Sequence, residues 1–154
     1  GTQLAAATTS GSLTPLAVFA RAGLFADELF IDGVDYEFSL RVRSLGYTIA
    51  ECPAATLLHA AGDPTYHRFL GSRPFQAANY SPIRRYYQER NKLLIARRYL
   101  TRFAPFLLSQ FVISAKDLIK IFIAEPGKRA KIAFFLRGWR DGLLNRSGKF
   151  QPRL

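Results

Sequence analysis

Methionine is absent from all 154 positions, the first included, so the sequence reads as a fragment or a processed product. Cysteine occurs once, at Cys52, which excludes an intramolecular disulfide framework and a zinc ribbon. Two histidines, His59 and His67, add too little for an all-protein zinc cage. No apolar run reaches membrane-spanning length before a charge interrupts it. No basic-then-apolar leader stands at the N-terminus. A Gly-rich phosphate loop, GxSxG, CxxC and HExxH are all missing, as are internal repeats and low-complexity tracts.

The residues present are those of a folded chain about one domain long. Hydrophobic residues make up 49%, charged residues 21%, and the mean hydropathy is -0.00. The net charge of +11 is unevenly spread. Residues 1–80 carry five Lys/Arg and seven Asp/Glu, a net of -2. Residues 81–154 carry seventeen Lys/Arg against four Asp/Glu, a net of +13. Such asymmetry points to two tasks: an acidic part that can hold a base or a metal, and a basic part that can meet phosphates.

Thr14-Pro15 reads as a helix start, and Gly23 as its stop. Val34, Phe38, Val42 and Leu45 recur at helical spacing ahead of Gly46 and predict a second helix over 34–45. Residues 47–51 and 55–59 have strand character, and 60–80 read as a long loop. Ser81-Pro82 opens a third helix to about Tyr99. A fourth runs over 101–124 with Pro105 in its first turn. After Glu125-Pro126-Gly127 a fifth carries Ile132, Phe135, Leu136, Trp139 and Leu143 on one stripe.

Three places could hold chemistry. Asp32, Asp35 and Glu37 lie within six residues at a helix mouth. Asp32 is placed to cap, Asp35 could point into a cleft as a general base, and Glu37 is the weaker candidate. His59 ends an apolar run, either as a polar terminator or as one metal ligand among several. Arg84-Arg85-Tyr86-Tyr87-Gln88-Glu89-Arg90-Asn91 could bind phosphates and stack on rings, or be a solvated helix face with buried tyrosines.

The order of these pieces is itself informative. Thr9-Ser10-Gly11-Ser12-Leu13 is followed by Gly23 to Asp32, then by Val34-Asp35-Tyr36-Glu37-Phe38-Ser39-Leu40-Arg41 and Gly46-Tyr47. His59, Arg85-Tyr86-Tyr87 and Arg90-Asn91 come after. Over about residues 8–100 the set resembles the C-terminal half of family 2 inverting glycosyltransferases, closest to the bacterial rhamnosyltransferase branch. Gly138-Trp139-Arg140-Asp141-Gly142 with Gly148-Lys149 is similar to the same branch.

The resemblance implies an α/β fold: a partial GT-A (Rossmann-like) domain, its acceptor-side half over 1–100, followed by a mostly α-helical, basic amphipathic tail over 101–154. It implies transfer of a sugar, with L-rhamnose from dTDP-rhamnose first in line, to a cell-surface polysaccharide or lipid-linked acceptor. Asp35 takes the base position, although the acid that usually precedes it is Val34 here. His59 matches a metal-holding histidine, for Mn²⁺ or Mg²⁺. Ser10, Gly11 and Asp32 match the donor–acceptor cleft. Arg90 and Asn91 match a helix beneath the site, with either a diphosphate contact or a structural role. The family's N-terminal half, with its nucleotide-binding strands and Asp-x-Asp motif, is not found, so no activity is expected of these residues alone.

The tail suits an anionic membrane interface, and together with the resemblance this implies a cytoplasmic enzyme peripheral on the inner face of a bacterial membrane. Its alternatives are packing on the catalytic domain or in a homo-oligomer. A basic membrane- or nucleic-acid-binding helical module without catalysis is the rival class, and of the two partners nucleic acid is the weaker. It is disfavoured because the basic residues accompany large apolar stripes and no nucleic-acid motif is present.

Overall fold

Ser81 and Pro82 start the longest helix. The Ser81 hydroxyl accepts from the Arg84 amide at 3.4 Å, and Pro82 occupies a first-turn position where no amide is needed. The computed structural model describes residues 2–58, 65–68 and 75–151. Its elements are α1 (Leu16–Ala22), a 3-10 turn (Asp27–Leu29), α2 (Val34–Ser44), β1 (Thr65–His67), β2 (Phe75–Ala77), α3 (Pro82–Ile123) and α4 (Lys128–Leu143).

Helix α3 folds back on itself. Phe103 leaves helical geometry (φ −128°, ψ 35°), and Pro105 two residues on has no amide to give the ladder. The sequence places one helix end near Tyr99 and the next start at Thr101, and the bend falls there. Arg85 meets Asp117 at 2.9 Å, although the two would stand about 48 Å apart along a straight helix. The limbs 82–102 and 104–123 are therefore antiparallel. Helix α4 then runs parallel to the first limb and completes a three-helix arrangement.

Two glycines set the approach of α4. A Cβ on Gly138 would lie 2.5 Å from the Tyr86 carbonyl oxygen, and one on Gly142 would lie 2.8 Å from Leu93 Cβ. The buried face of α4 is consequently Lys131, Phe135, Gly138, Asp141 and Gly142. This corrects the expected apolar stripe: Leu136 and Leu143 are exposed. Close backbone contact replaces large side chains at that seam.

Polar groups fill the space between the three helices. Arg85 pairs with Asp117 and, at 2.8 Å, with Glu125, which also takes Lys131 at 2.7 Å. Glu89 accepts from Ser114, from Lys92 at 2.9 Å and from Trp139 Nε1 at 2.8 Å. Tyr86 donates to Asp141 at 2.9 Å, and Asp141 takes Arg146 at 2.9 Å. The apolar core lies at the bend, where Leu29, Leu40, Leu94, Ile95 and Leu107 cluster with Tyr36, Phe103 and Phe106 around them. It ties α2 to both limbs of α3.

Gly23 (φ 79°) ends α1 as expected, its amide bonding Phe19. Neither expected strand, 47–51 or 55–59, forms over its described residues. Residues 51–58 have no strand, and 47–51 contribute a single antiparallel bridge, Ala50 to Gln3. Within the segment expected as loop, β1 and β2 form an antiparallel pair in the register Thr65–Ala77, Tyr66–Gln76, His67–Phe75. The described residues are thus mixed but mostly helical, with one two-stranded sheet. This is compatible with part of a glycosyltransferase domain and a helical extension. Among the described residues no helix is long and apolar enough to cross a membrane.

Candidate active site

The site is built on a contorted loop between the 3-10 turn and α2. Phe30 (φ 65°, ψ −60°) is the centre of a γ-turn, the Ile31 amide bonding the Leu29 carbonyl at 2.8 Å. Asp32 (φ 61°) and Gly33 (φ 79°) are also left-handed. Non-glycine residues held in such regions cost on the order of 1–3 kcal/mol each and need surrounding structure to hold them. Gly33 caps α2, so Asp32 does not take the capping role the sequence suggests.

The Asp32 carboxylate instead turns to the first limb of α3. Arg84 Nε lies 3.2 and 3.1 Å from its two oxygens, and Arg84 is stacked 4.4 Å over the Tyr80 ring. This pairing raises the Arg84 pKa. Asp35, in the first turn of α2, is half-buried. One of its oxygens accepts the Tyr36 amide at 2.9 Å. Burial pushes its pKa above the usual 3.8, and the nearby Asp32 charge adds to this.

Asp32 and Asp35 line one end of a cleft of about 390 Å³. Tyr36 and Tyr80 stand beside them. Beyond, the two limbs of α3 form opposite walls: Gln88 and Lys92 from one, Gln110 and Asp117 from the other. Carboxylates, amides and aromatic faces around one cleft suit a polyhydroxylated ligand. Asp35 is a half-buried carboxylate on the wall of that cleft.

The other residues named from the sequence fall as follows. Glu37 is buried and committed, accepting from Tyr99 at 2.8 Å and from Arg41 at 2.7 Å. Burial, with the Glu37 hydrogen bond, holds the Tyr99 phenol protonated by raising its pKa. Ser10 and Gly11 lie in an exposed turn, with Gly11 against Leu57, while Thr8 lines the cleft. His59 lies outside the described residues. Arg90 and Asn91 are 1% exposed and bond main-chain carbonyls under the loop.

Of the arginines and tyrosines in the 84–91 run, Arg84 lines the cleft, together with Gln88 and Glu89 of the same run. Arg85, Tyr86 and Tyr87 are buried; the buried-tyrosine reading describes that face. The fork from Arg84 to Asp32, and the roles of Gln88, Lys92 and Gln110, went unseen in the sequence. Only the fold-back brings those residues opposite one another.

Among the described residues, no three His, Cys, Asp or Glu side chains gather as a metal cage. Of the cleft carboxylates, Asp32 is already held by Arg84, Glu89 by Lys92 and Asp117 by Arg85, which leaves Asp35. These donors do not by themselves fit a resident Mn²⁺ or Mg²⁺. The metal expectation rests on groups outside them, His59 included.

Comparison with known proteins puts the chain in relation to the glycosyltransferases. Over 101 residues it is 36% identical to the dTDP-rhamnosyl transferase RfbF of Shigella flexneri. The match covers 66% of this chain and 32% of that protein, so the chain spans about a third of the length of this curated relative. No family model matches, and no solved structure does.

Proposed function

We propose that this chain is the acceptor-side part of an inverting, family 2, GT-A-type glycosyltransferase, residues 1–100 belonging to the catalytic domain and 101–154 to a basic extension. Asp35 is its general base. Its carboxylate takes the proton of an acceptor hydroxyl while that oxygen attacks the anomeric carbon of a nucleotide-sugar. The bond from that carbon to the diphosphate breaks, the configuration inverts, and the nucleoside diphosphate leaves with the electron pair. The donor is dTDP-rhamnose, a choice that rests on the name of the similar protein. The acceptor is a glycan or lipid-linked glycan.

The observation carrying this reading is the half-buried Asp35 on the wall of a cleft lined by tyrosines and amides. A carboxylate with a raised pKa is a better base near neutral pH than one in water. No step here is routed through a metal.

The test is sugar transfer by the complete protein and its Asp35→Asn variant, with dTDP-rhamnose and UDP-galactofuranose as donors and a lipid-linked acceptor extract. Loss of transfer by about 10²–10⁴-fold with donor binding retained is the expected result. Undiminished transfer by the variant would remove Asp35 from the mechanism.

A second reading concerns where the enzyme works. Leu108, Val112, Ile119 and Phe122 form an outward apolar row on the second limb of α3, with Lys116 and Lys120 beside it. This supports peripheral binding to an anionic membrane on the cytoplasmic side. Binding to anionic vesicles should keep an apolar remainder at high salt, and Phe122→Glu should weaken it. Nucleic-acid binding would instead fall log-linearly with salt.

A further inference from the structure

We propose that Asn91, oriented by Arg90, is a positioning residue that locks the loop 28–33 and thereby aims Asp35 into the cleft; this rests on the function proposed above. The Asn91 amide nitrogen donates to three carbonyls of the loop, those of Leu29 (2.9 Å), Ile31 (2.8 Å) and Asp32 (2.7 Å). An amide nitrogen has two hydrogens, so three acceptors converge on one fork and share it. Its oxygen accepts Arg90 Nε at 2.9 Å, which fixes which way the amide faces.

Arg90 adds its own donors. It reaches the Leu29 carbonyl at 3.0 Å and the Gly148 carbonyl at 2.5 Å. Gly148 in turn donates its amide to the Glu28 carbonyl at 2.6 Å. The loop is therefore gripped from α3 and from the segment after α4. These bonds fall on Asp32 itself and on Leu29 and Ile31, the two neighbours of Phe30, and so bracket the positive-φ residues Phe30 and Asp32. All three partners of Asn91 are some 60 residues away in sequence, and both side chains are inaccessible. Neither group can therefore meet a ligand directly. Their effect on chemistry runs through Asp35, two residues beyond the left-handed Gly33.

The decisive variant is Asn91→Asp, which keeps the side-chain size but turns a donor toward three carbonyls into an acceptor. Expected first is faster amide exchange, by tenfold or more, over residues 29–36. The Asp35 carboxyl, followed by NMR titration, should shift toward its ordinary value. The Trp139 fluorescence of the α3–α4 seam should hold. In the complete protein kcat should fall by about 10²-fold with donor affinity retained, and the acidic limb of the pH profile should follow Asp35. Adding Phe30→Gly, which removes the penalty of the positive φ, should restore part of the loss.

If Asn91→Asp does not fold, Arg90→Lys carries the same measurements at reduced amplitude. A folded variant with unchanged loop exchange and unchanged Asp35 titration overturns the proposal. Failure of Asp35→Asn to abolish transfer would sink the base assignment instead, and leaves the loop measurements free to decide positioning.

Discussion

Arg84 and Asp32, 52 residues apart in sequence, form a forked ion pair at the mouth of the cleft, with Nε within 3.2 Å of both carboxylate oxygens and Nη2 3.2 Å from Oδ1. The pair neutralises the acid next to Asp35. Arg84→Leu should leave the Asp32 charge uncompensated and push the Asp35 pKa further up, since a neighbouring like charge disfavours ionisation. NMR titration of the Asp35 carboxyl in both proteins checks this. The effect should shrink in high salt, because Arg84 is largely exposed.

Asp35 works against the fold that holds it. Its pKa is raised in the folded state, chiefly by burial, so the native state binds the proton more tightly than the unfolded chain. Stability from this group is full below the unfolded pKa and is lost as pH rises through the folded one. Asp35→Asn should therefore be more stable than the parent at neutral pH, and the two should converge in acid. Urea unfolding across pH 3–7 gives the comparison. A parent that gained on the variant as pH rose would contradict it.

Glu125 is buried between Arg85 and Lys131 and bonds both. Its removal leaves Lys131 without this acid and Arg85 with only Asp117. Glu125→Ala should cost about 3–5 kcal/mol in urea unfolding, the range for breaking a buried pair from one side. Glu125→Gln should cost less, because it keeps an acceptor for one of the two.

Gly138 faces main chain, and a methyl there would lie 2.5 Å from the Tyr86 carbonyl oxygen. Gly138→Ala should destabilise by about 1–3 kcal/mol and displace α4. Trp139, the single tryptophan and the next residue, reports the displacement through its emission. Gly127→Asn is the control. Its φ of 66° suits asparagine, nothing lies within 4 Å, and stability should change little.

The helix ends were legible because capping is local: Gly23, Ser81-Pro82 and the break after Glu125 all act within a few residues. Asp32 and Asp35 were singled out by their place at the mouth of α2, and both line the cleft. The strands expected at 47–51 and, over the described residues, 55–58 were misjudged because apolar composition alone does not supply a partner strand; among the described residues the pairing is the bridge between Gln3 and Ala50. The charged run at 84–91 was ambiguous for the same kind of reason. Arg85 and Arg90 find their acceptors on Glu125 and on the carbonyls of Leu29 and Gly148, far along the chain. Glycine at 138 and 142 reads as a weak helix position until a neighbouring backbone is seen against it.

The bend at Phe103 makes both walls of the cleft parts of one helix, like the arms of tweezers cut from a single strip. The spacing of Gln88 and Gln110 is then set by the angle at Phe103 and clamped by the Arg85–Asp117 and Glu89–Ser114 pairs. The outer end of the second limb, near Ile119 and Phe122, lies about five helical turns from that bend. The bend itself sits in the apolar cluster that also holds Val34 and Tyr36, the neighbours of Asp35.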